Sequence, residues 1–175
     1  MRRILWRATI AVAGCLLLAA AGQAETKVTV SETHLCCGQC LRGVEAALKD
    51  VPGVKHKSSQ EAKTIEITAD NDEAAQKAID ALAAAGFYGK VDHQKVKFKA
   101  VDAPQATVER LEVTGVHNCC GACTRAIQKA VSSVAGVQAN TAKAKEESFV
   151  VEGKFKPTEL VDALLKAGFY VQLKK

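Results

Sequence analysis

The chain repeats itself, and the repeat bounds what it can fold into. Shifting the 175-residue sequence by 83 positions lays His34 on His117, Cys36 on Cys119, Cys37 on Cys120, Cys40 on Cys123 and Gly53 on Gly136. A shift of 82 lays Ala85-Gly86-Phe87-Tyr88 on Ala167-Gly168-Phe169-Tyr170. The one-residue slip falls between these anchors, where a loop absorbs it. The chain therefore reads as two homologous domains, 26–92 and 108–175, joined by a linker at 93–107.

Both copies carry the same order of local signals. Val28 and Val30 alternate with polar neighbours, as do Leu111 and Val113, which predicts a short half-buried strand. A cysteine cluster follows, then a helix with Leu41, Val44, Ala47 and Leu48 on one face, matched by Ile127, Ala130, Val131 and Val134. Gly53 and Gly136 are expected to end that helix before a brief strand at Val54 or Val137. Thr64–Thr68 and Ser148–Val151 read as β-branched strands. A second amphipathic helix uses Ala75, Ala78, Ile79 and Leu82, or Leu160, Val161, Leu164 and Leu165, with Pro157 suited to a first turn. Gly86 and Gly168 stand where a left-handed C-cap is expected, and Tyr88–Val91 or Tyr170–Leu173 make a last strand. The order βαββαβ in so few residues predicts an α+β chain of two ferredoxin-like sandwiches in tandem. Cores this small are marginal, and an ion bound to the folded form adds stability by mass action.

The first 24 residues read as a signal peptide. Arg2, Arg3 and Arg7 precede an apolar run from Ala8 to Ala21, and Gly22-Gln23-Ala24 offers small residues for cleavage after Ala24. The run is shorter than the ~20 residues a spanning helix needs. Export, most simply to a periplasm, is the expectation; an uncleaved anchor or a lipoprotein site at Cys15 is the alternative. The rest of the chain contains no membrane-spanning stretch. It is close to charge balance and lacks a basic block interleaved with aromatics, so nucleic acid is not an expected partner.

The chemistry lies in His34-Leu35-Cys36-Cys37-Gly38-Gln39-Cys40 and His117-Asn118-Cys119-Cys120-Gly121-Ala122-Cys123, which hold every cysteine except Cys15. Each cluster falls in the turn from first strand to first helix. Cys37 and Cys40, like Cys120 and Cys123, straddle the helix start, so their sulfurs can converge on one ion. The positive end of the helix favours thiolate over thiol. Cys36, Cys119, His34 and His117 are further candidate ligands. Three sulfurs suit Cu(I) or Hg(II), and three sulfurs with histidine also occur in zinc sites. Adjacent side chains point apart, which counts against Cys36 and Cys37 sharing an ion.

Each copy resembles a heavy-metal-associated domain, the family of copper chaperones, the N-terminal modules of metal-pumping P-type ATPases and the periplasmic mercury-binding protein. The resemblance implies Cys37 with Cys40 and Cys120 with Cys123 as primary ligands. It also implies that Phe87-Tyr88 and Phe169-Tyr170 lie near each site. The family pattern Gly-Met-x-Cys-x-x-Cys is altered here: His34 and His117 replace the glycine, Leu35 and Asn118 the methionine, and Cys36 and Cys119 are added. Phe87 and Phe169 are expected in the cores, with Tyr88 and Tyr170 free to face the sites. His56 and His93 are expected to face solvent.

These features predict a soft-metal protein that sequesters or transfers about one ion per domain. Cu(I) is the first choice, with Zn(II), Hg(II) and Cd(II) behind it, and a membrane metal transporter or another metal carrier is the expected partner. The rival is a thiol–disulfide oxidoreductase or redox sensor using the same Cys-x-x-Cys pairs. A third reading is a module that docks a transporter. No serine-nucleophile, paired-carboxylate or phosphate-loop pattern stands out, so the chain is not expected to be an enzyme.

Overall fold

A computed structural model describes residues 24–174. The leader expected at 1–24 thus lies outside the described residues except for Ala24. The first half runs β1 (Thr26–Ser31), α1 (Gly38–Leu48), β2 (Val54–Ser59), β3 (Thr64–Ala69), α2 (Asp72–Ala84) and β4 (Lys90–Val91). The second runs β5 (Val108–Thr114), α3 (Gly121–Ser132), β6 (Val137–Asn140), β7 (Phe149–Phe155), α4 (Pro157–Lys166) and β8 (Gln172–Lys174). The sheets are antiparallel with matching orders, β2-β3-β1-β4 and β6-β7-β5-β8. This is the α+β, ferredoxin-like pair expected from the βαββαβ order.

The strand alternation explains the register. Val28 pairs with Ile67 and Val30 with Ile65, and all four are buried. In the second sheet Leu111 pairs with Val151 and Val113 with Phe149, again buried. The period of 3.6 then brings Val44 and Leu48 of α1, with Ala75, Ala78, Ile79 and Leu82 of α2, onto that apolar face. Burying each Leu or Ile side chain stabilises the fold by roughly 1.5–3 kcal/mol. Asn71 caps α2 by accepting from the Ala74 N–H at 2.9 Å, and Pro157 opens α4 with a fixed φ.

The second helix of each half ends in the same left-handed cap. Gly86 (φ +79) follows α2, its N–H donating to the Ala83 carbonyl and that of Phe87 to Leu82, each at 2.9 Å. Gly168 (φ +87) repeats this, with its N–H donating to Leu165 and that of Phe169 to Leu164. This is the Schellman pattern, and it turns the chain sharply into Phe-Tyr. Gly53 and Gly136 behave otherwise than expected. The first helices stop at Leu48 and Ser132, and the two glycines lie in the turns into β2 and β6.

The halves meet through these capped corners. Phe87 and Phe169 form an isolated antiparallel bridge. Across it the Tyr88 N–H donates to the Gly168 carbonyl (3.1 Å) and the Tyr170 N–H to the Gly86 carbonyl (3.0 Å). The segment between the halves adds no strand at Val96–Val101. Its backbone instead bonds a side chain of α2: the Lys97 N–H donates to Gln76 Oε1, and Gln76 Nε2 donates to the Lys97 carbonyl. Val96 is buried there, and Phe98 packs between Tyr88 and Tyr170. The alternating apolar residues of this segment thus cover α2 and the corner rather than a sheet edge.

Candidate metal centre

Cys37 and Cys120 are the N-cap residues of α1 and α3, both in extended backbone. Three residues on, Cys40 and Cys123 lie within the first turn and point into the interior, with no exposed surface. The other four cysteines are half-buried. Within a copy the sulfurs converge: Cys37 to Cys40 is 3.9 Å, Cys36 to Cys40 3.6 Å, Cys120 to Cys123 3.9 Å and Cys119 to Cys123 3.7 Å. The extended backbone at the N-cap lets neighbouring cysteines turn to one place. Cys36, Cys37 and Cys40 lie within 4.8 Å of one another.

The two clusters are not separate. Because the capped corners dock reciprocally, the N-terminus of α1 faces that of α3, and sulfur meets sulfur across the interface. Cys36 is 3.5 Å from Cys123 and 3.7 Å from Cys120; Cys40 is 3.7 Å from Cys119 and 3.9 Å from Cys123. Cys37 is 3.9 Å from both Cys119 and Cys120. All six thiols therefore form one group, where the sequence offered two equal ones.

The histidines join the same group, each across the interface. His117 stacks on Phe87 (centroids 4.2 Å apart) and His34 on Phe169 (4.5 Å). The Nε2 atoms of both are buried without a hydrogen-bond partner, a costly state for a polar atom unless something else is bound there. One ring nitrogen of His117 lies within 4.8 Å of the sulfurs of Cys40, Cys119 and Cys123, and one of His34 within that distance of Cys36 and Cys123. Burial lowers the His34 pKa, keeping the imidazole neutral and able to donate a lone pair.

Charge is divided unevenly among the thiols. Contact with the Cys123 sulfur holds Cys40 far below the usual thiol range, against the opposing effect of burial. Cys123 is pushed up in turn. The Cys120 pKa falls to about 6, because the backbone N–H groups of Cys123 and Ala122 at the start of α3 point at its sulfur. Burial pushes Cys36 up to about 12 and Cys119 upward as well. Sulfurs crowded this closely, two of them fully buried, suit a soft cation that displaces the remaining thiol protons.

Several expectations change. Tyr88 and Tyr170 pack with Phe98, and the Tyr170 hydroxyl donates to the Lys99 carbonyl at 3.1 Å. It is the phenylalanines of those pairs that support the site, as platforms for the opposite histidines. His56 and His93 are partly exposed and partnered: His56 Nε2 lies 3.2 Å from Glu45, and His93 Nδ1 accepts from the Lys95 and Val96 N–H groups. Both organise local structure away from the sulfurs. Leu35 is core, and buried Asn118 donates to the Lys143 and Glu146 carbonyls and accepts from Thr124, so the two methionine-equivalent positions hold the loops. Gly43 was not anticipated. A Cβ there would lie 2.8 Å from His117 Cε1 and 3.1 Å from Phe87 Cζ, so its bareness makes room for the opposite histidine.

Among solved structures the chain is similar to the N-terminal soluble domains of Bacillus subtilis CopA, at 21% identity over 87% of this chain and 95% of that one, with a TM-score of 0.32. It is similar to the first two RRM domains of yeast poly(U) binding protein Pub1 at 9% identity, over 85% and 98% of the two chains, with a TM-score of 0.25. At such scores neither whole-chain likeness bears on function. No helix among the described residues is long and apolar enough to cross a membrane. A family model, that of the heavy-metal-associated domain, matches residues 110–170. The match places residues 110–170 in the heavy-metal-associated domain family, and the first half repeats their strand order and their His-x-Cys-Cys-Gly-x-Cys cluster.

Proposed function

We propose that this is an exported protein that sequesters soft metal ions, Cu(I) first, and gives them up by thiolate exchange. The observation that carries the reading is the gathering of six sulfurs at neighbour distances of 3.5–3.9 Å beside two buried, unpartnered imidazole nitrogens. Thiolate is the ligand type that selects Cu(I) among available metals, while Zn(II), Hg(II) and Cd(II) compete for the same donors. Ion binding displaces thiol protons to solvent.

The burial of Cys40 and Cys123 favours retention over rapid delivery. A partner's thiolate first meets the half-buried sulfurs at the cluster rim and adds to the ion. A three-coordinate mixed intermediate forms, then one of the protein's own thiolates leaves and takes up a proton. Ions deeper in the group leave only as the domains part. A membrane metal transporter or another carrier with exposed thiolates is the fitting recipient.

The test is native mass spectrometry of the anaerobically reduced protein after competition among Cu(I), Zn(II) and Hg(II). Retained Cu(I), lost on combining Cys37→Ser with Cys120→Ser, supports the reading. Failure to retain any of the three ions refutes it. A reversible dithiol couple with reductase activity in that metal-refusing protein would establish the oxidoreductase instead.

A further inference from the structure

Within each copy the sulfur of the last cysteine lies 3.6–3.9 Å from the other two; the contacts between copies are 3.5–3.9 Å. Nothing in these distances divides the group into one site per domain. To them are added the pairs Cys36–Cys37 and Cys119–Cys120, each within 4.8 Å. Every sulfur then adjoins all the others but one: Cys36 is left opposite Cys119, Cys37 opposite Cys123, and Cys40 opposite Cys120. That connectivity is an octahedron of sulfur, with three vertices from each domain.

An octahedron has triangular faces, and a triangle of thiolates is a trigonal site. With a metal–sulfur bond of about 2.3 Å, three sulfurs around an ion in their plane stand about 4.0 Å apart, close to the edges observed. Four faces that meet only at vertices use each sulfur twice: Cys36/Cys37/Cys40, Cys36/Cys120/Cys123, Cys37/Cys119/Cys120 and Cys40/Cys119/Cys123. A thiolate has lone pairs enough to bridge two ions. His117 adjoins the last of these faces, and His34 the Cys36–Cys123 edge.

We infer that the docked domains build one polynuclear Cu(I)–thiolate centre of four ions bridged by six sulfurs, in place of one ion per domain. The inference rests on the soft-metal reading above. Copper remains Cu(I) throughout; the thiols release their protons to water, and six thiolates with four monovalent cations leave a charge of minus two. The positive ends of α1 and α3, capped by Cys37 and Cys120, both face that charge. One ion per domain would leave thiolates of the two copies abutting with no shared cation, and bridging removes that repulsion.

The experiment is a Cu(I) titration of the anaerobically reduced full chain against a Cu(I)-chelating dye. Native mass spectrometry reads stoichiometry, and X-ray absorption reads copper neighbours. The expected result is passage from metal-free to four-copper monomer with few intermediates, and a short copper–copper vector at saturation. The variant combining Cys36→Ser with Cys119→Ser removes opposite vertices; it should hold two ions and lose that vector. Two ions filling independently in the unaltered protein, four coppers only in a dimer of chains, or four retained by the double variant would each overturn the centre while leaving soft-metal binding intact. No copper uptake would overturn both.

Discussion

Docking of the two halves can be broken at a single atom. A Cβ on Gly86 would stand 2.2 Å from the His117 nitrogen, 2.5 Å from the Gly115 oxygen and 2.8 Å from the Val116 carbonyl carbon, all backbone of the other half. Side chains cannot yield to relieve this, so Gly86→Ala must move the corners apart. Parting them forfeits the two backbone hydrogen bonds, each contributing about 0.5–1.5 kcal/mol. It also forfeits the two imidazole–phenyl contacts, which as ring pairs contribute about 0.5–1.5 kcal/mol each. The docked arrangement should weaken by about 4 kcal/mol, which raises the opened population roughly thousandfold. Gly115→Ala is the control. Its φ of +69 is close to the +79 of Gly86, yet its Cβ would approach only Gln172, at 3.9 Å. Both variants carry the left-handed backbone cost of about 1–2 kcal/mol, and only Gly86→Ala carries the wedge. The assay is the alkylation rate of Cys40 and Cys123 in the reduced protein, since neither is exposed when the halves are docked. Equal rates in the two variants would refute the account of the interface.

Tyr170 should report on the same corner through pH. Burial first, then Asp80, raises its phenol pKa, so its stabilising effect is complete below about 10 and is lost as pH rises through the folded-state value. Tyr170→Phe should remove that alkaline dependence from urea midpoints measured across this range, while costing about 0.5–1.5 kcal/mol at neutral pH for the bond to Lys99; an unchanged alkaline limb counts against it. In the second core, Leu164→Ala should cost about 2–5 kcal/mol in denaturant unfolding of the metal-free protein, because Leu164 is fully buried. Saturating Cu(I) should offset part of that loss, as expected for a ligand bound to the folded form alone.

The fold was legible because its information is local and periodic. Val28 and Val30 announce a strand, Val44 and Leu48 a helix face, and Gly86 a cap, all within a few residues. The segment from Val96 to Val101 shows the limit of such local signals: alternation says that residues 96 and 98 share a side, and nothing about what they cover. Gln76, which binds the backbone of Lys97, lies in the second turn of a helix and carries no mark of that role. The Cys-x-x-Cys pairs could be read from spacing, and Cys36 and His34 from their recurrence. That the two recurrences face each other could not, since an offset of 83 describes two equal sites equally well side by side or far apart. The difference arises from backbone bonds between Gly86, Tyr88, Gly168 and Tyr170, whose partners are fixed only once both corners exist.

One trace of the docking is nevertheless in the sequence, at the position where the copies disagree. Residue 43 is glycine and its equivalent, residue 126, is alanine. In the middle of α1 a glycine destabilises by roughly 0.5–1 kcal/mol relative to alanine, so α1 considered as a helix alone would be better served by the residue its copy has. The space explains the difference: His117 Cε1 would lie 2.8 Å from the added carbon and Phe87 Cζ 3.1 Å. Gly43→Ala should therefore act with opposite signs on two measurements. Urea unfolding of the first half should gain up to about 1 kcal/mol from the helix. The imidazole of His117 should be pressed from its place beside Cys40, Cys119 and Cys123, speeding alkylation of Cys123 and weakening the hold on Cu(I). If the helix gains stability while both thiol protection and copper retention stand unchanged, His117 does not occupy the pocket over α1, and the two domains do not share their metal site in the way described.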